Sequence, residues 1–243
     1  MNISKSLKDF KNTHKNGNNQ VIYKIFKSRS AKEINNLINN FLCEKNSFIF
    51  ESVEKGKIKG RYTIFGKDPD KIWEFNNNKS FLIKNNIKKK IHGDPKKNIE
   101  EIINNFKFKI PSNLPPICSL ISGYFSYDTI RYIERIPNNC NDDLKIPDVR
   151  LLRPRILIIH DNLEKKIFYI VNIFHDEKIE NYNKKYQEIN NTINNLIHMS
   201  KLKKNEKTYK KINIKIKSNT KKNKFLSIVK KAKEYIKIGD IFQ

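Results

Sequence analysis

Three polar side chains around one glycine-bearing connection offer the first candidate chemistry. Glu51 and Ser52 leave an apolar run, Phe48-Ile49-Phe50, and Arg61 opens a second run that reaches Phe65 and closes at Gly66. Between them lies Lys55-Gly56-Lys57-Ile58-Lys59-Gly60. Apolar and β-branched runs flanking a glycine connector predict two antiparallel strands. The connector is too long for a two-residue turn, so a looser loop is expected. A carboxylate, a hydroxyl and a guanidinium would then converge beside apolar walls, as in a small-ligand pocket. A surface hairpin with solvated charges fits the same pattern.

Other candidates carry less. The chain has no Walker loop, no GxSxG and no HExxH. His160 and Asp161 are adjacent on an apolar run, where neighbouring side chains face opposite ways, so His160 reads as a core or turn histidine. His14, His92, His175 and His198 sit among charges and are expected to be solvated. Cys43, Cys118 and Cys140 are far apart and odd in number, which suggests neither a metal site nor a disulfide framework. Cys118, on an apolar run, reads as a small hydrophobe. Only seven of the 50 basic residues are Arg: Arg29, Arg61, Arg131, Arg135, Arg150, Arg153 and Arg155. A guanidinium offers a planar fork that an ammonium lacks, so these positions predict carboxylate pairing, for example of Arg131 or Arg135 with Asp128 or Glu134.

The 243 residues suffice for one large domain or two small ones, and 37% hydrophobic content with 15 Phe and 10 Tyr can build a core. The net charge of +25 would suit a nucleic acid or an anionic membrane. Yet the excess is nearly all Lys, mixed with Asn and Ile tracts whose codons are A/T-rich, and no RRM or zinc-finger motif appears. The expectation is therefore no nucleic-acid and no membrane partner, with a basic RNA-binding protein as the reading from another class. The polar amino terminus lacks a signal-peptide core, and the cysteine usage suits a reducing cytoplasm.

The elements that must position these groups follow from periodicity. Ile3, Leu7 and Phe10 predict a short helix ending near Gly17, and Gln20 to Phe26 a strand. Ser30 can cap a helix through Phe41, with Glu33 in the capping-box position. Lys67-Asp68-Pro69-Asp70 reads as a turn. Short strands are expected at Ile72 to Phe75, Ser80 to Ile83 and Ile87 to Ile91, then a helix from Asn98 to Phe106. Ile117 to Tyr127 reads as a strand whose Gly123 marks a bulge or close backbone approach. A helix from Thr129 to Arg135 follows, then an irregular lead-in from Pro147 to Pro154. Arg155 to His160 and Lys166 to Phe174 form a hairpin about Asp161-Asn162. Asp176 to His198 and Phe225 to Ile236 carry helical stripes, separated by a Lys-rich stretch in which Ile212-Ile214-Ile216 could be an edge strand. Gly239 sits at a helix C-cap position. The chain ends inside an apolar run, Ile241-Phe242-Gln243, which suggests truncation. Paired strands with helices between the groups predict α+β: sandwich-like antiparallel sheets with flanking helices.

Four ordered stretches carry a family resemblance. FIFESVEKGKIKGRYTIFGKDP is similar to the "LLES…GRYS-IG-DP" signature of the large subunit of anthranilate synthase, component I. GYFSYDTIRYIERIP resembles its "GY-GYD-VR--E-LP" segment, and PDVRLLRPRILIIHDNLEKKIFYIV the hairpin that follows. VKKAKEYIKIGDIFQ resembles the helix and strand that open its chorismate-binding domain. The related aminodeoxychorismate synthase component I is the alternative, which Glu51-Ser52 and the GDIFQ ending disfavour.

The resemblance implies a lyase of tryptophan biosynthesis that converts chorismate and ammonia to anthranilate and pyruvate with Mg²⁺. A glutamine amidotransferase subunit supplies the ammonia, and L-tryptophan inhibits by binding the amino-terminal region. On this basis residues 1–200 are the regulatory domain, 201–221 a linker and 222–243 the start of a chorismate-binding domain. Glu51 and Ser52 match the feedback motif, and Arg61 falls where a basic contact can occur. Phe48, Phe50 and Tyr62 would frame the indole, and tryptophan is expected between the Glu51-Ser52 end and the Gly123 strand. Gln243 matches a position that is lysine in water-using relatives. A neutral amide cannot act as a base at pH 7, which suits ammonia as nucleophile, although a buried amide satisfying backbone groups fits equally. The family's catalytic His and its Mg²⁺ ligands would lie beyond Gln243, so no catalytic or metal residue is expected here apart from this active-site edge.

Overall fold

A computed structural model of the protein describes residues 3–28, 31–41, 44–51, 60–139, 141–202 and 217–242. The chain divides into two compact units, Met1–Lys204 and Asn205–Gln243. In the first unit, strands β1 (Gln20–Lys27), β2 (Phe48–Glu51), β3 (Tyr62–Asn76), β4 (Lys79–Lys84), β5 (Ile87–Ile91), β6 (Ser122–Phe125), β7 (Val149–Asp161) and β8 (Lys166–Ile173) join in one sheet. The order is β1-β8-β7-β3-β4-β5, with β2 paired to β3 and β6 to β7. All these pairings are antiparallel. Helices α1 (Leu7–Lys15), α2 (Ala31–Phe41), α3 (Pro95–Asn105) and α4 (Tyr182–Lys201) flank it. The expected antiparallel α+β class is thus observed, and the two long strands β3 and β7 unite the sheets into one.

Alternation along the strands divides the core. On β7, Ile156 and Ile158 pack with Phe10, Leu37 and Ile193, beneath α1, α2 and α4. Leu157 and Ile159 face the other side, with Val21, Phe168, Ile170, Leu114 and Cys118. A third cluster, Trp73, Phe75, Val149 and Leu151, packs against Ile99 and Ile102 of α3. Sheets covered on both faces need near-continuous apolar runs, which is why β7 and β8 are almost wholly buried.

Several local expectations are corrected. Lys67 to Asp70 does not turn; it lies within β3, where the register shifts between Pro69 and Lys71 and Asp68 takes φ 52°. Pro69 stands opposite Pro154. Neither has an N–H to give the ladder, so a bulge keeps both strands running where a regular pair cannot form. For the same reason β7 begins at Val149 instead of after Pro154. Ile117 to Tyr127 is not one strand but a 3₁₀ turn, Pro116–Cys118, followed by the short β6. The helix expected from Thr129 is a 3₁₀ turn, Tyr127–Tyr132, tied to the start of β7 by Ser126 N–H and the Thr129 hydroxyl donating to Asp148 O, and by Tyr132 Oη donating to Asp148 Oδ2 at 2.6 Å. Helix α4 starts at Tyr182 because Asn181 caps it, accepting from Lys184 N–H. His14 is buried, not solvated: it follows Phe10 by one helical turn, and its Nδ1 meets Tyr182 Oη at 3.0 Å.

Ser30 and the segment 212–216 lie outside the described residues. In the second unit, α5 (Lys222–Ile238) ends at Gly239, whose φ of 85° is the left-handed cap anticipated from the sequence.

Candidate functional site

Glu51 is the last residue of β2, and its place follows from the register. Phe48 pairs with Gly66, Ile49 with Phe65, Phe50 with Ile64 and Glu51 with Thr63. Gly66 makes room for this pairing: a Cβ there would lie 2.1 Å from the Phe48 ring, so the ring covers the bare glycine. Phe48 and Phe50 pack ring against ring, 5.0 Å between centroids. Phe48, Ile64 and Tyr62 border the cluster of Leu157 and Ile159. Ile49 and Phe65 belong to the opposite face. Alternation puts Glu51 on the Ile49 face, so its carboxylate and the Phe48 and Phe50 rings occupy opposite sides of β2. Glu51 is exposed, and among the described residues it has no ion-pair partner. Ser52 and Gln243 lie outside the described residues.

Arg61 precedes β3 and reaches across to the end of β7. Its Nε donates to Asp161 Oδ1 at 3.2 Å and Oδ2 at 3.1 Å, its Nη2 to Oδ2 at 2.7 Å, and Nη2 also meets Glu164 Oε1 at 3.1 Å. The guanidinium lies over the Tyr62 ring at 4.9 Å. Asp161 further accepts from the Leu163 and Glu164 amides. Burial pushes the Asp161 carboxyl up, but the Arg61 fork and these two amides outweigh it and hold the group below the usual carboxylate range. Arg61 therefore fastens the β7–β8 turn to the start of β3, with one nitrogen, Nη1, outside this network.

His160 continues the row of Glu51: Thr63 pairs with Glu51 on one side and with His160 on the other. The imidazole is 2% exposed, and among the described residues neither ring nitrogen has a hydrogen-bond partner. Burial lowers its pKa, outweighing the favourable influence of Asn162 and Asp161, so the ring is neutral, as a core histidine should be. Cys118 is a free, fully buried thiol pushed up to about 11 by burial, which removes its nucleophilic form at neutral pH.

Gly123 is where the backbones approach: its Cβ would lie 1.9 Å from Arg150 O. It does not, however, face the Glu51 end. Gly123 pairs with Leu151, whereas the Glu51 row crosses β7 at His160. The strand between them covers about 30 Å at roughly 3.3 Å per residue. Along the sheet, therefore, the Gly123 strand does not adjoin Glu51.

Five of the seven arginines pair with carboxylates; among the described residues Arg135 has no ion pair, and Arg29 lies outside them. Besides Arg61, Arg131 pairs with Asp128 at 2.8 Å, Arg150 with Glu74 at 2.9 Å and Arg155 with Glu177 at 2.9 Å. Arg153, buried under the bulge, donates to Asp70 Oδ1 at 2.8 Å and Asp176 Oδ1 at 2.9 Å and stacks on Phe174 at 3.8 Å. Nothing local marks this last network, whose partners come from two segments distant in sequence, at Asp70 and at Phe174 to Asp176. Among the described residues no group of three or more His, Cys, Asp or Glu could hold a metal ion, so no step through Mg²⁺ is assigned to them. No helix among them is long and apolar enough to cross a membrane.

The sequence that builds this sheet belongs to a recognisable class. Residues 45–243 match the family of chorismate binding enzymes, and the chain belongs to that family. Its relatives include anthranilate synthase component 1 of Acetivibrio thermocellus, 34% identical across 81% of this chain and 41% of the relative. The same enzyme component of Cereibacter sphaeroides is 25% identical across 98% of this chain and 49% of its own length. The crystal structure of anthranilate synthase component I from Streptococcus pneumoniae shares the fold, with a TM-score of 0.56 and 20% identity over 84% of this chain and 43% of that one. The chain spans about half the length of the curated relatives it matches.

Proposed function

We propose that this chain is the amino-terminal, effector-binding part of an anthranilate synthase component I. The parent activity is the conversion of chorismate and ammonia to anthranilate and pyruvate, with Mg²⁺ and a glutamine amidotransferase partner, in the cytoplasm. Residues 1–200 form the regulatory domain, 201–221 a linker, and 222–243 open a chorismate-binding domain. This part does not turn over chorismate by itself. The family membership and the anthranilate synthase relatives support the reading.

The observation that carries the effector assignment is the exposed Glu51 carboxylate at the end of β2, which has no ion-pair partner among the described residues. A carboxylate in that state can take the ammonium of L-tryptophan, while the Ser52 hydroxyl and backbone amides hold its carboxylate. Arg61, clasped to Asp161, positions the strand facing Glu51 and keeps Nη1 for a ligand. The test is tryptophan inhibition of the full-length gene product. Glu51→Gln and Ser52→Ala should each raise the half-inhibitory concentration by about tenfold or more, the worth of a charge-assisted hydrogen bond. Inhibition equal to wild type in both variants would refute the site. Formation of aminodeoxychorismate instead of anthranilate would refute the activity.

A further inference from the structure

A cavity of about 490 Å³ opens away from the Glu51 row, at the other end of β3. It is lined by Glu74 of β3, Lys79 and Phe81 of β4, Lys88 of β5, Arg150 of β7 and Lys145 of the preceding loop. Glu74 is buried, and its carboxylate bridges two cations: Lys88 Nζ at 2.7 Å and Arg150 Nη1 at 2.9 Å. Arg150 Nη2 is fixed by Asn46 Oδ1 at 2.9 Å, and Lys88 lies over the Phe81 ring at 4.5 Å. Both cations are thus held by Glu74, although Lys88 is itself half exposed. Lys79 and Lys145 are exposed, and among the described residues neither ammonium has a carboxylate within ion-pair distance. Asp148 stands behind Asn77 and is engaged by the Asn77 amide and the Tyr132 hydroxyl.

Four cations therefore share one lining carboxylate. A surplus of this kind inside a concavity concentrates positive potential more than the same charges spread over a convex face. It differs from the lysines elsewhere in the chain because two of its four members are oriented by Glu74 and the cavity has an apolar side at Phe81.

We propose that this cavity binds a small multivalent anion of the phosphate class, with Lys88 and Arg150 as the donors oriented by Glu74 and Lys79 and Lys145 added from the rim. The site is separate from the effector assignment and stands or falls without it.

Titration calorimetry of the full-length gene product with inorganic pyrophosphate, at ionic strength held constant with sodium chloride, tests the proposal. Saturable binding near one per chain is expected, weakened about tenfold in Lys79→Gln/Lys145→Gln, since two exposed ion pairs are lost. Both substitutions are at exposed positions, and an unchanged thermal melt certifies the fold. Lys230→Gln/Lys233→Gln, on α5, should bind as wild type. Absence of saturable binding overturns the proposal, as does an equal loss in the α5 variant, which would mean diffuse attraction by net charge. A single-stranded oligoribonucleotide that binds through Lys79 and Lys145 while pyrophosphate does not would also overturn it, in favour of an RNA backbone.

Discussion

Arg61 and Asp161 clasp the start of β3 to the end of β7 through a forked contact, with Nη2 to Oδ2 at 2.7 Å and Nε between 3.1 and 3.2 Å from both carboxylate oxygens. Asp161 is the better buried partner, at 2% side-chain exposure against 32% for Arg61. It also satisfies two amides of the β7–β8 turn. Removing the carboxylate strands four donors, Arg61 Nε and Nη2 and the two amides, whereas removing Arg61 leaves Asp161 its two amides. Asp161→Ala should therefore cost about 2–3 kcal/mol, and Arg61→Ala clearly less. Urea denaturation of both variants measures the order; a smaller loss for Asp161→Ala than for Arg61→Ala contradicts it.

Gly66 and Gly123 should differ in their response to alanine. At Gly66 the obstacle is the Phe48 ring, a side chain that can swing aside. The expected cost is about 1–3 kcal/mol, typical of overpacking. Replacing Phe48 by Leu should recover part of it, since the two sites share one contact. At Gly123 the obstacle is the Arg150 carbonyl, 1.9 Å away, with Leu151 Cα behind it. Backbone cannot step aside without breaking the β6–β7 pair, so Gly123→Ala should be the more damaging and should not be rescued by a side-chain truncation. Equal melting temperatures for the two alanine variants would contradict this.

Stability should fall in two stages as the solution is acidified. His160 has a lowered pKa, so the unfolded chain binds its proton first; this contribution is full above the ordinary histidine value and lost as pH falls below about 6.5. Asp161 and Asp176 are also lowered, burial being outweighed by Arg61 for the first and by Lys71 and Arg153 for the second. Their contributions are full above the ordinary carboxylate value and lost below about pH 4. Denaturant midpoints from pH 8 to 3 should show both steps, and His160→Leu should erase only the first. A flat profile between pH 7 and 5 in the parent chain would contradict the role of His160.

Cys118 should resist alkylation in the folded protein. Its thiol is fully buried and pushed up to about 11. Iodoacetamide at pH 8 should label Cys118 only as fast as the protein opens, and at the free-thiol rate in urea. Peptide mass mapping distinguishes the two; rapid labelling without denaturant would contradict the burial.

The hairpin around Glu51, the β7–β8 hairpin and the stripes of α2, α4 and α5 were readable because each rests on a short-range pattern. What escaped was decided at a distance. Lys67 to Asp70 has the composition of a turn, yet Pro154, far along the chain, turns it into a bulge. His14 has charged neighbours in sequence, yet Tyr182 of α4 closes over it. Arg153 was recognisable as a residue needing carboxylates, but Asp70 and Asp176 were not recognisable as the ones it would find.

By itself the sequence determined the types of element, the near-continuous apolar runs that bury β7 and β8, and the ordered motifs that mark the family, since these depend on residue type and local spacing. Only the tertiary structure decided which groups meet. It put Glu51 in one row with Thr63 and His160, tied Arg61 to Asp161, and set Gly123 about 30 Å of strand away from them. The reason is that strand register is set by the packing of whole faces and by the turns between strands, not by any residue that the register happens to bring together.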